Sequence, residues 1–188
     1  MRRLALLIAL LAGTLLVPAV ANAGRSEFFG VVQGQFDAKG QLDARDVKGM
    51  AAKGVHTNRF ELGWKSVAPA PGQFDWATSD RFIGALASRG IRAVPFVWGS
   101  PRWVADNPGR PPIDSAAHKH AWESFLKAAV DRYGPGGSYW SNAYRQRYGA
   151  RATPMPIHSW QVWNEPNLKK FFNLFFNITK INKSIYSI

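Results

Sequence analysis

The sequence predicts an α/β protein whose parallel strands are covered on the outside by helices. Three observations favour this class. Short apolar runs alternate with segments of helical period, glycines follow the helical segments, and each helix is long enough to cross back over a sheet. Such crossovers join parallel strands. The 188 residues, 46% of them apolar, are enough for one modest domain with a hydrophobic core.

The first strand and helix precede a second strand. Residues 28–34, FFGVVQG, form a short apolar run closed by glycine, which is typical of a buried strand. Asp43 is the predicted cap of the first helix, and Gly54 is its left-handed stop. Residues 55–62, VHTNRFEL, predict the second strand. The apolar face of the helix comprises Val47, Met50 and Ala51.

The next helix begins at Asp75 and ends at Gly90. Residues 91–98, IRAVPFVW, follow it directly and predict the third strand, because the run is apolar and rich in β-branched and aromatic residues. The apolar face of this helix comprises Phe82, Ile83 and Leu86.

A longer helix opens at Asp114 and stops at Gly134, and residues 157–163, IHSWQVW, predict the fourth strand. Two architectures fit this order of elements: a small doubly wound sheet, or the first half of a (β/α)8 barrel. The apolar face of the helix comprises Ala121, Trp122, Phe125, Ala129 and Val130.

Glycine patterns argue against a nucleotide-binding sheet. A doubly wound nucleotide binder needs a glycine fingerprint directly after its first strand, and FFGVVQGQFDAKGQ does not supply one. The GPGG run at 134–137 lacks the Lys-Ser/Thr of a phosphate loop and follows a helix, so it is interpreted as a turn.

Three regions are expected. Residues 1–23 have a basic start, an apolar run and a small-residue cleavage site after Ala23, which predicts a signal peptide and a secreted protein. A membrane anchor is the alternative, but the apolar run is shorter than the about 20 residues of a spanning helix, so no stable membrane insertion is expected after cleavage. Residues 24–170 form the domain.

Residues 171–188 differ in composition from the rest of the chain. They contain no Ala, Gly, Pro or Arg; Phe, Ile and Asn dominate, and Lys and Tyr also occur. AT-rich codons specify these residues, whereas the domain implies GC-rich codons. We therefore expect a tail that is not native to the domain, from a frameshift, a contig end or a gene fusion. A short amphipathic helix is the alternative, although Asn and Ile are poor helix formers.

The charge of the chain does not indicate a nucleic-acid partner. The formal net charge is +12, but residues 24–170 hold 20 basic and 12 acidic residues, and the excess is scattered. No basic run interleaves with aromatic residues, so no nucleic-acid binding is predicted.

No metal site or cofactor is predicted either. The chain has no cysteine, which excludes disulfides and thiolate ligands. His118 and His120 lie about 200° apart around their helix and cannot easily share a metal ion.

Functional residues are expected at the carboxyl ends of the strands, where parallel barrels collect their chemistry. Arg59 lies on the second strand, Trp98 ends the third with Trp103 close behind, and the fourth runs into WNEP at 163–166. Aromatic faces, an amide, an arginine and a carboxylate at one mouth suit a sugar, which offers C–H faces for stacking and hydroxyls for hydrogen bonding.

Glu165 is the candidate catalytic residue. Pro166 favours an extended conformation of the residue before it, which would hold Glu165 in place at the strand end. There Asn164 and Glu165 could both reach one ligand. A carboxyl partly shielded beside Trp163 would suit a general acid near neutral pH. The alternative is a surface carboxylate next to an ordinary proline turn.

These motifs carry a family resemblance. WNEP, together with RFELGWKSVAPAPGQFDW and PFVWGSPRW, resembles the N-terminal half of the clan A glycoside hydrolases, which include cellulase-like, β-xylosidase-like and β-galactosidase-like families. The resemblance runs from about residue 28 to about residue 173. It implies a (β/α)8 TIM-barrel glycosidase fold, truncated here after about four βα units. It also implies a retaining enzyme that acts on a β-linked oligosaccharide or polysaccharide.

The resemblance implies roles for five residues. Glu165 matches the acid/base glutamate, Asn164 the amide that binds the sugar 2-hydroxyl, and Arg59 an arginine that supports the nucleophile. Trp98 and Trp103 lie where such enzymes line their sugar subsites.

The nucleophile is missing from this resemblance. Retention needs a second carboxylate about 5–5.5 Å from the first, and the clan places it after strand seven. Glu61 is interpreted as a partner of Arg59 or a rim residue. We therefore expect an inactive glycosidase fragment. A non-catalytic carbohydrate-binding remnant is the alternative.

Overall fold

The computed structural model describes residues 29–33, 44–170 and 172. The predicted signal peptide, Asp43 and residues 171 and 173–188 of the tail lie outside the described residues. The elements in chain order are β1 (Gly30–Gln33), α1 (Ala44–Ala52), β2 (Thr57–Gly63), α2 (Trp64–Val67), α3 (Ala77–Ala87), β3 (Arg92–Trp98), α4 (Ala116–Tyr133), α5 (Ser138–Ser141), α6 (Ala143–Tyr148) and β4 (Gln161–Val162).

The described strands form one parallel sheet in the order β1-β2-β3-β4. In the longest pairing, Thr57 lies opposite Arg92 and Gly63 opposite Trp98. A doubly wound sheet would reverse its strand order at a switch point, and this sheet does not. A sheet whose spatial order follows the chain is that of consecutive βα units in a barrel, so the barrel prediction is confirmed and the doubly wound alternative is excluded.

The two faces of β2 have different surroundings. Asn58, Phe60 and Leu62 are at most 1% exposed, while the alternate residues are half-buried. The Phe60 ring meets the Phe82 ring of α3 edge to face, with centroids 4.5 Å apart. The hydrophobic core therefore lies between the sheet and the helices, and the opposite, inward face of β2 is left for polar residues.

The glycine stops are confirmed at two helix ends. Gly54 and Gly90 have φ values of +77° and +70°, in the left-handed region that favours glycine. Each glycine is followed closely by a strand, so these turns set the entry points of β2 and β3 into the sheet.

The predicted start of the longest helix is wrong by two residues. Ser115 is the cap, because its hydroxyl accepts a hydrogen bond from the backbone N–H of His118 at 3.1 Å. The Asp114 carboxylate instead bonds the His118 ring at 2.7 Å. Burial acts to raise the pKa of Asp114, but the hydrogen bond and charge of His118 outweigh it and lower the pKa. The predicted burial of Val130 is also wrong, since this side chain is 45% exposed.

The fourth strand is much shorter than predicted. Only Gln161 and Val162 pair with β3. Ile157, the predicted first residue of the strand, donates its backbone N–H to the carbonyl of Tyr133 at 2.8 Å and is 1% exposed. The start of the segment is thus hydrogen-bonded to the end of α4. Only Gln161 and Val162, near the end of the segment, pair with the sheet.

A carboxylate on α3 fastens the following helices to it. The side chain of Asp80 accepts hydrogen bonds from Arg132 Nε at 2.9 Å and from the Tyr133 hydroxyl at 2.7 Å, and its backbone carbonyl accepts from the Tyr139 hydroxyl at 2.6 Å. These contacts join three helices on the outer side of the sheet.

Candidate active site

Arg59 lies on the inward face of β2, at the middle of the sheet. Its Cα partner on β3 is Val94, and its guanidinium carbon lies 4.2 Å from the centroid of the Phe96 ring. Arg59 and Val94 point to the same side of the sheet because they are paired across parallel strands, and Phe96, two residues further along β3, points to that side as well. The Phe96 ring therefore supports the cation from the neighbouring strand.

Arg59 and Asn164 are in direct contact. The Nη2 atom of Arg59 donates to Oδ1 of Asn164 at 2.8 Å, although 105 positions separate the two residues. A guanidinium has no acceptor, so the amide atom that faces it must be the oxygen. The two N–H donors of Asn164 then point away from the arginine, and the side chain is only 9% exposed.

Gln161 is a site residue that the sequence analysis missed. Its Oε1 accepts from Arg59 Nε at 2.9 Å, and its Nε2 donates to the carbonyl of Trp163 at 2.9 Å. One amide therefore links the arginine on β2 to the backbone just before Asn164. A signal for it exists in the sequence, since Gln161 is the polar residue that alternates with Trp163 on the fourth strand.

The backbone leaves the strand at Trp163. Its N–H makes the last bond to the sheet, to the carbonyl of Val97 at 2.7 Å, and its φ is +64°. A positive φ is rare for a bulky residue and costs on the order of 1–3 kcal/mol. The turn that presents the candidate residues is therefore held by its surroundings rather than by local preference.

Glu165 does not have the predicted extended conformation. Its φ is +41°, and its carbonyl accepts from the backbone N–H of Leu168 at 2.9 Å. This bond closes a β-turn with Pro166 in the second position, where proline is favoured. The prediction is wrong because the chain reverses direction here, and the turn decides the conformation of the residue before Pro166.

The predicted shielding of Glu165 by Trp163 is also wrong. Glu165 is exposed. The Trp163 ring instead faces inward, with its centroid 6.4 Å from that of Trp98, 5.7 Å from that of Trp122 and 5.9 Å from that of Phe172. The Glu165 carboxylate thus projects from a turn beside an aromatic cluster in which the Trp163 ring is buried.

Trp98 and Trp103 have different surroundings. Trp98 is half-buried at the end of β3, beside Trp163 and with Lys65 Nζ 5.2 Å from its ring centroid. The Trp103 indole donates to the carbonyl of Ala68 at 3.0 Å and packs edge-on against a buried tryptophan of α2. The structure brings Trp98 next to the turn that holds Glu165, whereas Trp103 lies in the loop after β3.

Glu61, the carboxylate on the inward face of β2, forms an ion pair with Lys65 rather than with Arg59. Its Oε1 lies 3.9 Å from Lys65 Nζ, one helical turn later in the chain. Arg59 donates to two side-chain amides, those of Gln161 and Asn164, and not to Glu61. No group of three His, Cys, Asp or Glu side chains that could hold a metal ion occurs within residues 29–33 and 44–170.

Two curated fungal proteins resemble the chain in sequence. Endo-1,4-beta-xylanase A from Fusarium oxysporum f. sp. lycopersici is 27% identical over 127 residues, which cover 65% of this chain and 37% of that protein. Endo-1,4-beta-xylanase 1 from Gibberella zeae is 29% identical over 92 residues, which cover 47% and 25%. No family model matches the chain.

These similarities support a relationship to the clan A glycoside hydrolases. A solved structure of a family 39 glycoside hydrolase from Bacteroides cellulosilyticus WH2 agrees in fold, with a TM-score of 0.50 at 20% identity over 73% of this chain and 24% of that one. The described part of the chain therefore has the predicted fold, that of a truncated (β/α)8 barrel. The chain spans between about a quarter and 37% of the length of these relatives. In the described part of the chain, no helix is both long and apolar enough to cross a bilayer.

Proposed function

We propose that this chain supplies the acid/base half of a retaining glycosidase site that acts on a β-1,4-linked polysaccharide such as xylan. The observation that carries the proposal is the Arg59–Asn164 hydrogen bond. It fastens the turn that bears Glu165 to the inward face of β2, at the carboxyl ends of the strands. The substrate class rests on the xylanase names of the two sequence relatives.

In the proposed mechanism, Glu165 donates a proton to the oxygen of the scissile glycosidic bond and later removes one from the attacking water. Asn164 donates its amide hydrogens to a hydroxyl of the sugar in the cleft. Arg59 orients that amide and provides a fixed positive charge near the reaction. Retention requires a carboxylate nucleophile about 5–5.5 Å from the acid. We propose that it comes from barrel strands outside these 188 residues, so this chain alone should not turn over substrate.

The catalytic assignment is tested in a longer protein that carries this segment. Glu165→Gln should lower turnover of substrates with poor leaving groups by about 10²- to 10⁴-fold. It should affect activated aryl glycosides much less, because they need the proton least. Glu123→Gln is the matched control, since Glu123 is an exposed carboxylate on α4. Equal losses on both substrate types would contradict the role of Glu165 as the acid.

Carbohydrate binding without catalysis is the second candidate. It is favoured by the contacts of Arg59, which bonds two amides, and by those of Glu61, which pairs with Lys65. Binding of xylo-oligosaccharides by the longer protein, with no hydrolysis of any β-glycoside, would favour this candidate over the enzyme.

Export is proposed from the pattern of residues 1–23 alone. Expression with the native N-terminus and N-terminal sequencing of the product tests it. A mature protein that begins at Gly24 supports export with cleavage after Ala23, and an uncleaved membrane-bound product contradicts it.

A further inference from the structure

A pocket of about 580 Å³ lies between the segment after β2 and the loop after β3. Two of its lining residues, Ala68 and Ser100, are each 1% exposed, and the Trp103 indole lines it as well. The two segments are joined by hydrogen bonds, from Trp103 Nε1 to the Ala68 carbonyl at 3.0 Å and from Lys65 N to the Gly99 carbonyl at 2.9 Å. The pocket is therefore preformed by the fold, as ligand sites usually are.

The lining of this pocket carries two cations and one carboxylate: Lys65, Arg102 and Asp106. Arg102 is exposed, and none of the ion pairs recorded in the described part of the chain involves it. The 3.9 Å between Lys65 Nζ and Glu61 is too long for a hydrogen bond, and the Lys65 side chain is 39% exposed. Within the described residues neither side chain donates a hydrogen bond, so the N–H donors of both cations can reach a ligand while Lys65 keeps its ion pair with Glu61.

Lys65 connects the pocket to the candidate active site. Its ammonium lies 5.2 Å from the ring centroid of Trp98, beside the turn that holds Glu165. It also approaches Glu61, two residues along the inward face of β2 from Arg59. A saccharide bound beside Trp98 and Glu165 would therefore adjoin this pocket at the same end of the sheet.

We propose that this pocket is an accessory subsite for a sugar unit that carries a carboxylate, such as a uronic acid. The inference rests on the proposed function, because it assumes a saccharide in the neighbouring cleft. Arg102 and Lys65 donate charge-assisted hydrogen bonds to the carboxylate. Asp106 accepts from sugar hydroxyls, and the Trp103 indole packs against C–H groups. A neutral sugar has no anion for the two cations, so the pocket favours the acidic unit.

The test compares two matched ligands by calorimetry on the 188-residue chain. One is a β-1,4-linked xylo-oligosaccharide that bears a single uronic acid, and the other is the same molecule after its carboxyl group has been reduced to an alcohol. We expect the acidic form to bind about 5- to 10-fold more tightly at low salt. The preference should shrink at about 1 M salt, where the screening length is about 3 Å.

Charge-removing variants locate the effect. Lys65→Gln and Arg102→Gln should each reduce the preference and leave binding of the neutral form unchanged. Lys53→Gln and Arg89→Gln are the controls, since these exposed residues lie before β2 and β3, at the opposite end of the strands. They remove the same charge and should leave the preference intact.

Each contrary outcome has a distinct meaning. Equal binding of the two forms by the unmodified chain overturns the subsite but leaves the proposed function standing. A preference that survives in the Lys65→Gln, Arg102→Gln double variant places the carboxylate outside this pocket and also overturns the inference. Binding of neither form overturns the subsite and the saccharide function together.

Discussion

The Nη2 atom of Arg59 and the Oδ1 atom of Asn164 lie 2.8 Å apart and join the middle of β2 to the turn after β4. This bond holds a nearly buried amide in one orientation beside the exposed Glu165 carboxylate. Removal of either partner leaves a polar group without its bond in a half-buried place, which is more costly than the bond itself is stabilising.

A double-mutant cycle measures this bond. Arg59→Met and Asn164→Ala should each lower the free energy of unfolding by about 1–3 kcal/mol, because a hydrogen bond to a charged group is lost. The double variant should lose less than the sum, with a coupling of about 1 kcal/mol or more between the contacting residues. Urea denaturation provides the free energies. Strict additivity would show that the contact does not stabilise the turn.

Gln161 should act through both of its hydrogen bonds. Gln161→Glu keeps an acceptor for Arg59 but loses the donor to the Trp163 carbonyl, whereas Gln161→Leu loses both. We expect Gln161→Leu to weaken xylo-oligosaccharide binding more than Gln161→Glu does, in calorimetric titrations of folded protein. Equal losses in the two variants would mean that the bond to the turn matters and the bond to Arg59 does not, and a larger loss in Gln161→Glu would contradict the role of the Arg59 bond.

Truncation of the two predicted sugar-binding tryptophans, Trp98 and Trp103, should affect stability and saccharide binding differently. Trp103 packs against the hydrophobic core, and its indole N–H is bonded to Ala68. Trp103→Ala should therefore cost about 3 kcal/mol or more of stability, as expected for truncation of a packed aromatic residue. Trp98→Ala should cost less and weaken saccharide binding more. Thermal melts and titrations of the same samples decide this, and the reverse order would remove Trp98 from the site.

The carboxylate on α3 should stabilise the fold more than a surface carboxylate does. Asp80→Asn removes the charge that faces Arg132 in a half-buried place, with side chains about a quarter exposed. We expect a loss of about 1–3 kcal/mol in urea denaturation. Asp131→Asn is the matched control, because that carboxylate is 61% exposed and pairs with the exposed Lys127. Its effect should stay within about 0.5 kcal/mol.

Stability should fall at alkaline pH because of Tyr133 and Tyr139. Burial raises the pKa of both hydroxyls above their usual range, and the charge of Asp80 adds to this. The unfolded chain ionises its tyrosines near pH 10, while the folded chain keeps these two protonated. The stabilisation is thus fully present below about pH 10 and is lost as the pH rises above it.

The free energy of unfolding is measured by urea denaturation between about pH 8 and pH 11, with about one unfolding curve for each half pH unit. Tyr133→Phe removes one of the two buried hydroxyls, so its stability should fall less steeply above pH 10. An unchanged slope in this variant would contradict the assignment to Tyr133.

The sequence alone determined the order of the elements and the family relationship. Apolar period, helix caps and glycine stops are local signals, so they predicted four strands, the helices α1, α3 and α4, and the left-handed turn at Gly54. The motifs that follow the strands are contiguous in the chain, and they indicated the glycosidase relationship in the same way.

Tertiary contacts decided the rest, because they join residues that are far apart in the chain. The role of Gln161 depends on Arg59, 102 positions earlier. The short fourth strand depends on the capture of Ile157 by the end of α4, and the exposure of Glu165 depends on the inward turn of Trp163 into an aromatic cluster. A local pattern states which residues favour a strand or a turn, but the packing partners determine where the strand begins and which way the turn presents its side chains.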